Sequence, residues 1–493
     1  LSGPKYGTKC VLQTKTLNVV SLFLIVFLFA PAWLTSLYAE GSKDLYPAGV
    51  SGNRAFLYSN SYTGTDGSTN TSWPFKTLGT HYVYAEIGEV IAVASSAQNL
   101  GSGRIRLTAP DGQQYITTNN DIGRIFDRDE ELAGPRYPGQ PAGGDRYQPF
   151  TRTVASGQAG VWKIEFLPTG DEESDNTPTV TSIEADDDWT QGSNSELIAA
   201  WDVSVRNAAN TAWITGRVYT NVFNLHISGS QFTAADAFYG EMYVLTKDGI
   251  AYRVTNNGNN GVGFTFFVNN KGFLDGSGNS LYKSLDISNP TDPSFNVHDP
   301  RDPDDATNVT HKIFYTAPAE DLPSSATQAV DTSTQVITWL KNTIVTPTVS
   351  NVTYTGVEGT PNLSGSKGAN IGFDSNLAGS YRIEISIPGF TTRVLTGSTI
   401  TGTNTVFWDG KDGDGNTLAP STTISGIKVQ LFGAEVHFPF IDMEINPGGV
   451  IIEQLDENYA LFSPTKDLVY WDDSDISGGT IATRPNPMES GSA

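Results

Sequence analysis

Tyr381-Arg382-Ile383-Glu384-Ile385-Ser386-Ile387 alternates apolar and polar residues without a fault, and a period of two places every apolar side chain on one face of an extended strand. The pattern returns in Ile427-Lys428-Val429-Gln430-Leu431 and in Val161-Trp162-Lys163-Ile164-Glu165-Phe166. It returns again where Trp201, Val203 and Val205 alternate with Asp202, Ser204 and Arg206. Short runs of this kind, bounded by turns such as Pro110-Asp111-Gly112, Asp248-Gly249 and Asp275-Gly276, predict half-buried antiparallel strands. The chain therefore reads as all-β, a tandem series of β-sandwich domains of jelly-roll or immunoglobulin-like type. Thr334 to Leu340 is the one stretch expected to form a short helix.

Working outward, the 493 residues suffice for three or four domains. Charged residues make up only 17% and aromatics 11%, which separates the chain from disordered polymers, rich in charge and poor in rings. Residues 41–170 are expected to form one β-sandwich, followed by the solvated link Asp171-Glu172-Glu173-Ser174-Asp175-Asn176. A second sandwich is expected over 177–345, an immunoglobulin-like unit over 346–432, a small β-rich extension over 433–479 and a flexible tail over 480–493. Opening on Leu1 rather than Met and closing on Gly491-Ser492-Ala493, the chain is read as a piece of a longer polypeptide.

Lys5, Lys9 and Lys15 precede an apolar run from Leu22 to Leu34, followed by Ser36-Leu37-Tyr38-Ala39. A basic segment, a short apolar segment and a small residue form the layout of an export signal, here residues 1–39, with the cut after Ala39. The run is short for a span of about twenty residues, the alternative being an uncleaved N-terminal anchor; no later segment is apolar enough to cross a bilayer as a helix, so no transmembrane span is expected once the signal is gone. The lone Cys10 lies in the same segment, which leaves no disulfide framework, thiol nucleophile or cysteine metal site. Losing three lysines and no acid takes the formal charge from −23 to −26. Such a surface repels phosphate backbones, which excludes nucleic acid as a partner.

The unit over 346–432 resembles the immunoglobulin-like domain first named for the flagellar hook-cap protein. Tyr381 to Ile387, Phe390 to Leu395, Phe407-Trp408-Asp409-Gly410, Gly415-Asn416-Thr417-Leu418-Ala419-Pro420 and Ile427 to Leu431 follow that family's order. Ser421-Thr422-Thr423 replaces the glycine and tyrosine the family carries after its proline, and the turn is unusually acidic. The remainder resembles the N-terminal regions of very large surface proteins of Bacteroidota. Together these resemblances imply a secreted or cell-surface protein with a structural or adhesive role and little chemistry.

Candidate ligand residues are few. Asp412, Asp414 and Asn416 space oxygen ligands two apart, as calcium loops do, whereas Thr417 and Thr423 stand where an EF-hand needs Gly and Glu. The alternative is a polar hairpin turn fixed by Gly413 and Gly415. Asp299, Asp302, Asp304 and Asp305 beside His298 form a second acidic loop. Trp162, Trp201, Trp213 and Trp408 sit inside alternating strands, which favours core packing over a sugar platform. Tyr470-Trp471, followed by acids, is the pair expected to be exposed and able to bind a ligand. His81, His226, His298, His311 and His437 are scattered, and none lies in a zinc or nucleophile motif.

The expected function is a non-catalytic extracellular spacer and display segment, with surface glycans or other surface proteins as partners. The alternatives are an array of carbohydrate-binding modules and the accessory region of a secreted hydrolase. N-terminal sequencing of exported protein should begin at Glu40 or within a few residues; retention of Leu1 to Leu34 would contradict the export reading.

Overall fold

Strand Trp201–Arg206 shows why the sequence folds as it does. Its apolar face carries Trp201, Val203 and Val205 into the main core, and its polar residues Asp202, Ser204 and Arg206 are buried as well. Both sides of the strand are thus covered, and its backbone is paired along both edges: by Val90–Ser95 over six residue pairs, and by the short strands Glu40–Gly41 and Trp213–Ile214. Phe150–Thr153 completes this five-stranded sheet beyond Val90–Ser95.

The structure is a computed structural model that describes residues 40–60, 75–137, 144–170, 183–226, 237–259, 263–282, 296–357, 359, 366–433, 435–441, 449–466 and 469. The fold is all-β, with multiple antiparallel sheets and two short helices, Ser42–Leu45 and Arg128–Ala133, among these residues. No helix among them is long and apolar enough to cross a membrane.

A twelve-stranded sheet runs from Gln335–Trp339 through Ser325–Ala329, Gly160–Leu167, His81–Ala85, Val218–Thr220, Lys312–Phe314, Glu241–Leu245, Ala251–Asn256 and Val450–Leu455 to Leu461–Lys466. Arg104–Thr108 adds to Gly160–Leu167 and carries Gln114–Ile116 on its other edge. A further sheet orders Phe440–Ile441, Gly263–Phe267, Val222–His226, Phe56–Tyr58 and Leu197–Ile198. Trp162, Ile164 and Phe166 enter the core, and Glu165 on the other face is held by Arg106 at 2.6 Å.

These pairings correct the expected boundaries. Val90–Ser95 pairs with Trp201–Arg206, His81–Ala85 with Val218–Thr220, and Phe56–Tyr58 with Val222–His226. One core runs from Leu45 to Tyr315 without a break at the acidic link. The stretches 41–170 and 177–345 therefore share their sheets and their core. The expected extension 433–479 is not separate either: Phe440–Ile441 pairs with Gly263–Phe267, and Val450–Leu455 pairs with Ala251–Asn256 over five positions. The physical reason is that a strand's backbone donors and acceptors need partners wherever the chain can supply them, and here they come from distant segments.

The expected helix at Thr334–Leu340 is also corrected. Gln335–Trp339 is a strand paired antiparallel with Ser325–Ala329. Val336-Ile337-Thr338 is a β-branched run that disfavours helix, and Asp331 closes the preceding turn by accepting the backbone N–H groups of Ser333 and Thr334.

Residues 346–432 have a core of their own. Val349–Gly356, Ala369–Ser375 and Gly402–Trp408 make one three-stranded sheet; Arg393–Thr399, Gly379–Ser386 and Gly426–Phe432 make the other. Ile371, Phe373, Ile383, Ile385 and Trp408 meet between them. Trp408 is fully buried, and its indole N–H donates to the Lys411 carbonyl at 2.8 Å. Gly368, at φ +84°, packs so closely that a Cβ there would sit 1.8 Å from the Trp408 carbonyl oxygen. Trp408→Ala should destabilise this unit by about 3–5 kcal/mol, as for other large aromatic truncations. Denaturant unfolding of the variant checks this, and a loss below about 1 kcal/mol would contradict the packing.

Candidate functional site

The polar face of Trp201–Arg206 meets the segment Glu40–Leu45, and carboxylates accumulate there. The Glu40 backbone N–H donates to Asp202 Oδ1 at 3.1 Å. Asp202 Oδ2 accepts the Tyr147 hydroxyl at 2.6 Å, and the Ser204 hydroxyl donates to the same carboxylate at 3.0 and 3.1 Å. The Glu40 carboxylate accepts the N–H groups of Gly216 at 2.7 Å and Arg217 at 3.4 Å and the Thr316 hydroxyl at 2.8 Å. Asp44 Oδ2 accepts the Gly41 N–H at 3.2 Å. Glu40 is 1% exposed and Asp202 2%, so no water competes for these groups.

Burial in this setting penalises charge. It pushes Glu40 up to about 7, against the opposing hydrogen bonds from Thr316, Gly216 and Arg217. Burial also pushes Asp202 up to about 7, against Tyr147, Ser204 and the charge of Lys43. Asp44 is raised well above the ordinary carboxylate range by burial and then by the charge of Glu40.

Next to this cluster lies a buried ion network of opposite character. Glu131 on helix Arg128–Ala133 accepts Arg54 through both of its oxygens at 3.0 and 2.8 Å, Arg128 at 2.8 Å and the Trp189 indole N–H at 3.0 Å, and also the Ser42 hydroxyl. Burial alone would raise its pKa; Arg54, then Arg128 and Ser42, hold it below the usual value. Asp127 caps this helix by accepting the Glu130 N–H at 2.9 Å. The network ties Ser42, Arg54, Trp189 and the helix into one polar knot inside the core.

Two further perturbed groups are packed away. His81 is pushed down to about 4 by burial, with its ring nitrogens on the Gly79 carbonyl and the Tyr315 hydroxyl. Lys312 is pushed down to about 7 by burial, its ammonium 4.3 Å from the ring centres of both Tyr219 and Trp339. A cavity of about 210 Å³ is lined by residues including Lys76, Tyr82, Lys163, Glu165, Asn221 and Arg301. Its carboxylate, Glu165, is already held by Arg106 at 2.6 Å and Lys163 at 3.2 Å.

Of the residues singled out in the sequence, Asp412 Oδ1 accepts the N–H groups of Asp414 at 3.1 Å and Asn416 at 2.7 Å, and Oδ2 accepts the Asn416 side-chain amide at 3.1 Å. Asp414 turns to the Thr391 hydroxyl at 2.7 Å. Asp412 and Asp414 thus accept from protein donors, and the Asn416 amide donates to Asp412. No group of three or more His, Cys, Asp and Glu side chains placed to hold a metal occurs among the described residues. Tyr470 and Trp471 lie outside the described residues. Trp162, Trp201 and Trp408 are core residues, whereas Trp213 is half-buried beneath the Arg206 guanidinium, 5.1 Å from its ring.

The acidic cluster itself was missed in the sequence, although its signal was there. Asp202 sits in a faultless alternation opposite Trp201 and Val203, and only the assumption that the polar face meets solvent concealed it.

The cluster has a definite pH signature in a chain whose Glu40 nitrogen is in a peptide bond. The groups facing it are Lys43 and Asp44 from the first helix, Tyr147, Arg146 and Glu131. Glu40 and Asp202 bind protons more tightly folded, at about 7, than at their ordinary values of 4.5 and 3.8. Through that window the folded state holds more protons, so their contribution falls as pH rises and flattens above about 7. Glu131 has the opposite sign, its contribution being lost on acidification. Asp202→Asn should flatten the decline in denaturation midpoint between these values; an unchanged slope would place the titration elsewhere.

No family model matches the chain, and no curated protein does. Among solved structures, the crystal structure of a DUF4785 family protein from Legionella pneumophila aligns over 77% of this chain and 81% of its own, at 9% identity and a TM-score of 0.13.

Proposed function

We propose that the chain is a non-catalytic extracellular segment of a surface protein, serving as spacer, display site or adhesive module. The observation that carries this reading is the placement of the chemically perturbed groups. Glu40, His81, Asp202 and Lys312 all lie beneath protein, at 1–3% exposure, with polar partners drawn from the fold. Groups arranged for catalysis need a path for substrate to reach them, whereas these brace strands against one another. The separate sandwich of residues 346–432, closed around Trp408, supports kinship with the immunoglobulin-like domain of the hook-cap protein, a structural module elsewhere. The strong negative charge supports a partner other than nucleic acid.

A glycan-binding array would draw on a row of exposed rings. Phe390, Phe407 and Phe432 are each about half exposed. Phe407 belongs to one sheet of the small sandwich, Phe432 to the other, and Phe390 to a turn, so they do not form a row on one face.

Residues 40–493 incubated with polysaccharide, ester and peptide panels should show no turnover, while deleting the segment from its parent should weaken attachment of cells to surfaces. Turnover abolished by one carboxylate or serine substitution would overturn the structural reading. Glycan binding lost on changing Tyr470 or Trp471 would move it to a binding module.

A further inference from the structure

The expected export cut and the fold meet at one peptide bond. The cut is expected between Ala39 and Glu40, and the fold seats the nitrogen of Glu40 3.1 Å from the buried carboxylate oxygen Oδ1 of Asp202. We propose that hydrolysis of the Ala39–Glu40 bond by an export peptidase installs the α-ammonium of Glu40 as the buried counter-ion of Asp202, so that processing completes the core. The inference rests on the extracellular reading. Water adds across the bond: Ala39 leaves as a carboxylate, and Glu40 keeps an amine that is protonated near neutral pH.

The seat is built for a terminus held in one place. The Glu40 side chain is anchored by Gly216, Arg217 and Thr316, while its backbone pairs with strand Trp201–Arg206 at Val203. Gly41 lies so close to strand Trp201–Arg206 that a Cβ there would come within 2.2 Å of the Trp201 carbonyl oxygen. A side chain at 41 would push the strand off its partner, so the position of the Glu40 nitrogen is fixed to within a small displacement.

Charge supplies the reason. Glu40, Asp44 and Asp202 bring three carboxylates together, Glu40 and Asp202 buried and Asp44 half-buried, with Lys43 as the cation on the same segment and Arg146 nearby. A peptide N–H offers Asp202 a neutral hydrogen bond, whereas an ammonium offers a full charge and a charge-assisted bond. Breaking or omitting one partner of a buried pair leaves the other charge uncompensated. Burial raises the proton affinity of Glu40 and Asp202, and an added cation beside them would act in the opposite direction.

The test compares a chain beginning at Glu40, released from a removable fusion that leaves no added residue, with one beginning at Ser36. Each is made with and without Asp202→Asn, and the full chain with its leader is exported and sequenced from its N-terminus. At pH 7.5 the Glu40 form should melt at least about 2 °C above the Ser36 form, and Asp202→Asn should erase the difference. In the unsubstituted Glu40 form, the amine should acylate about tenfold more slowly than in unfolded chain, as expected for a proton held one unit more tightly. This second readout stands if the Asn variant does not fold. Equal melting temperatures, a difference that survives Asp202→Asn, or an amine that reacts as freely as in unfolded chain would overturn the proposal. Export with a mature start at another residue would overturn it while leaving the extracellular reading intact; retention of the leader would overturn both.

Discussion

Burial of both faces of strand Trp201–Arg206 is the constraint on which the rest of the structure depends. An apolar face in the core needs only good packing, but a polar face out of water needs a partner for every group. Asp202 finds Tyr147, Ser204 and Glu40; Arg206 finds the Asn210 carbonyl and the rings of Tyr137 and Trp213. Some of those partners, Ser204, Asn210 and Trp213, lie in the strand or just after it, and the others, Glu40, Tyr137 and Tyr147, come from distant stretches of chain. Satisfying one strand therefore draws the start of the described fold, the loop at Tyr147 and the strand Val90–Ser95 into a single body.

The same logic explains the neighbouring knot around Glu131. A carboxylate with two guanidinium groups, a hydroxyl and an indole N–H is fully occupied, and it is held ionised because the arginines outweigh the cost of burial. Removing either arginine would leave charge behind with no water to compensate it. Such networks fix one arrangement of the elements they join. That geometry favours rigidity.

Much of the local structure was legible in the sequence. Alternation marked Val161 to Phe166, Trp201 to Arg206, Tyr381 to Ile387 and Ile427 to Leu431 as strands, and Trp408 as a core residue, because side-chain periodicity is a local property. The boundaries were not legible. One partner of Val90–Ser95 lies more than a hundred residues away in Trp201–Arg206, and nothing local says which strand a given edge will meet. For the same reason Val450–Leu455 could not be assigned to Ala251–Asn256, and the acidic link at 171–176 looked like a border between cores. The helix Arg128–Ala133 had a readable cap in Asp127 and Glu130, yet it was not among the expected elements. The acidic cluster stayed hidden because convergence of carboxylates is spatial, and a strand with one polar face reads as half exposed.

The central claim is that residues from Glu40 to Leu455, outside the small sandwich, form one body held through strand Trp201–Arg206. Native-state hydrogen exchange read by mass spectrometry tests it most directly, since segments that open together exchange with a common free energy. The account predicts that backbone amides of Val90–Ser95, Trp201–Arg206, Ala251–Asn256 and Val450–Leu455 share one opening free energy and the same dependence on denaturant. Separate opening of the segments before and after the acidic link, each at its own denaturant midpoint, would contradict it.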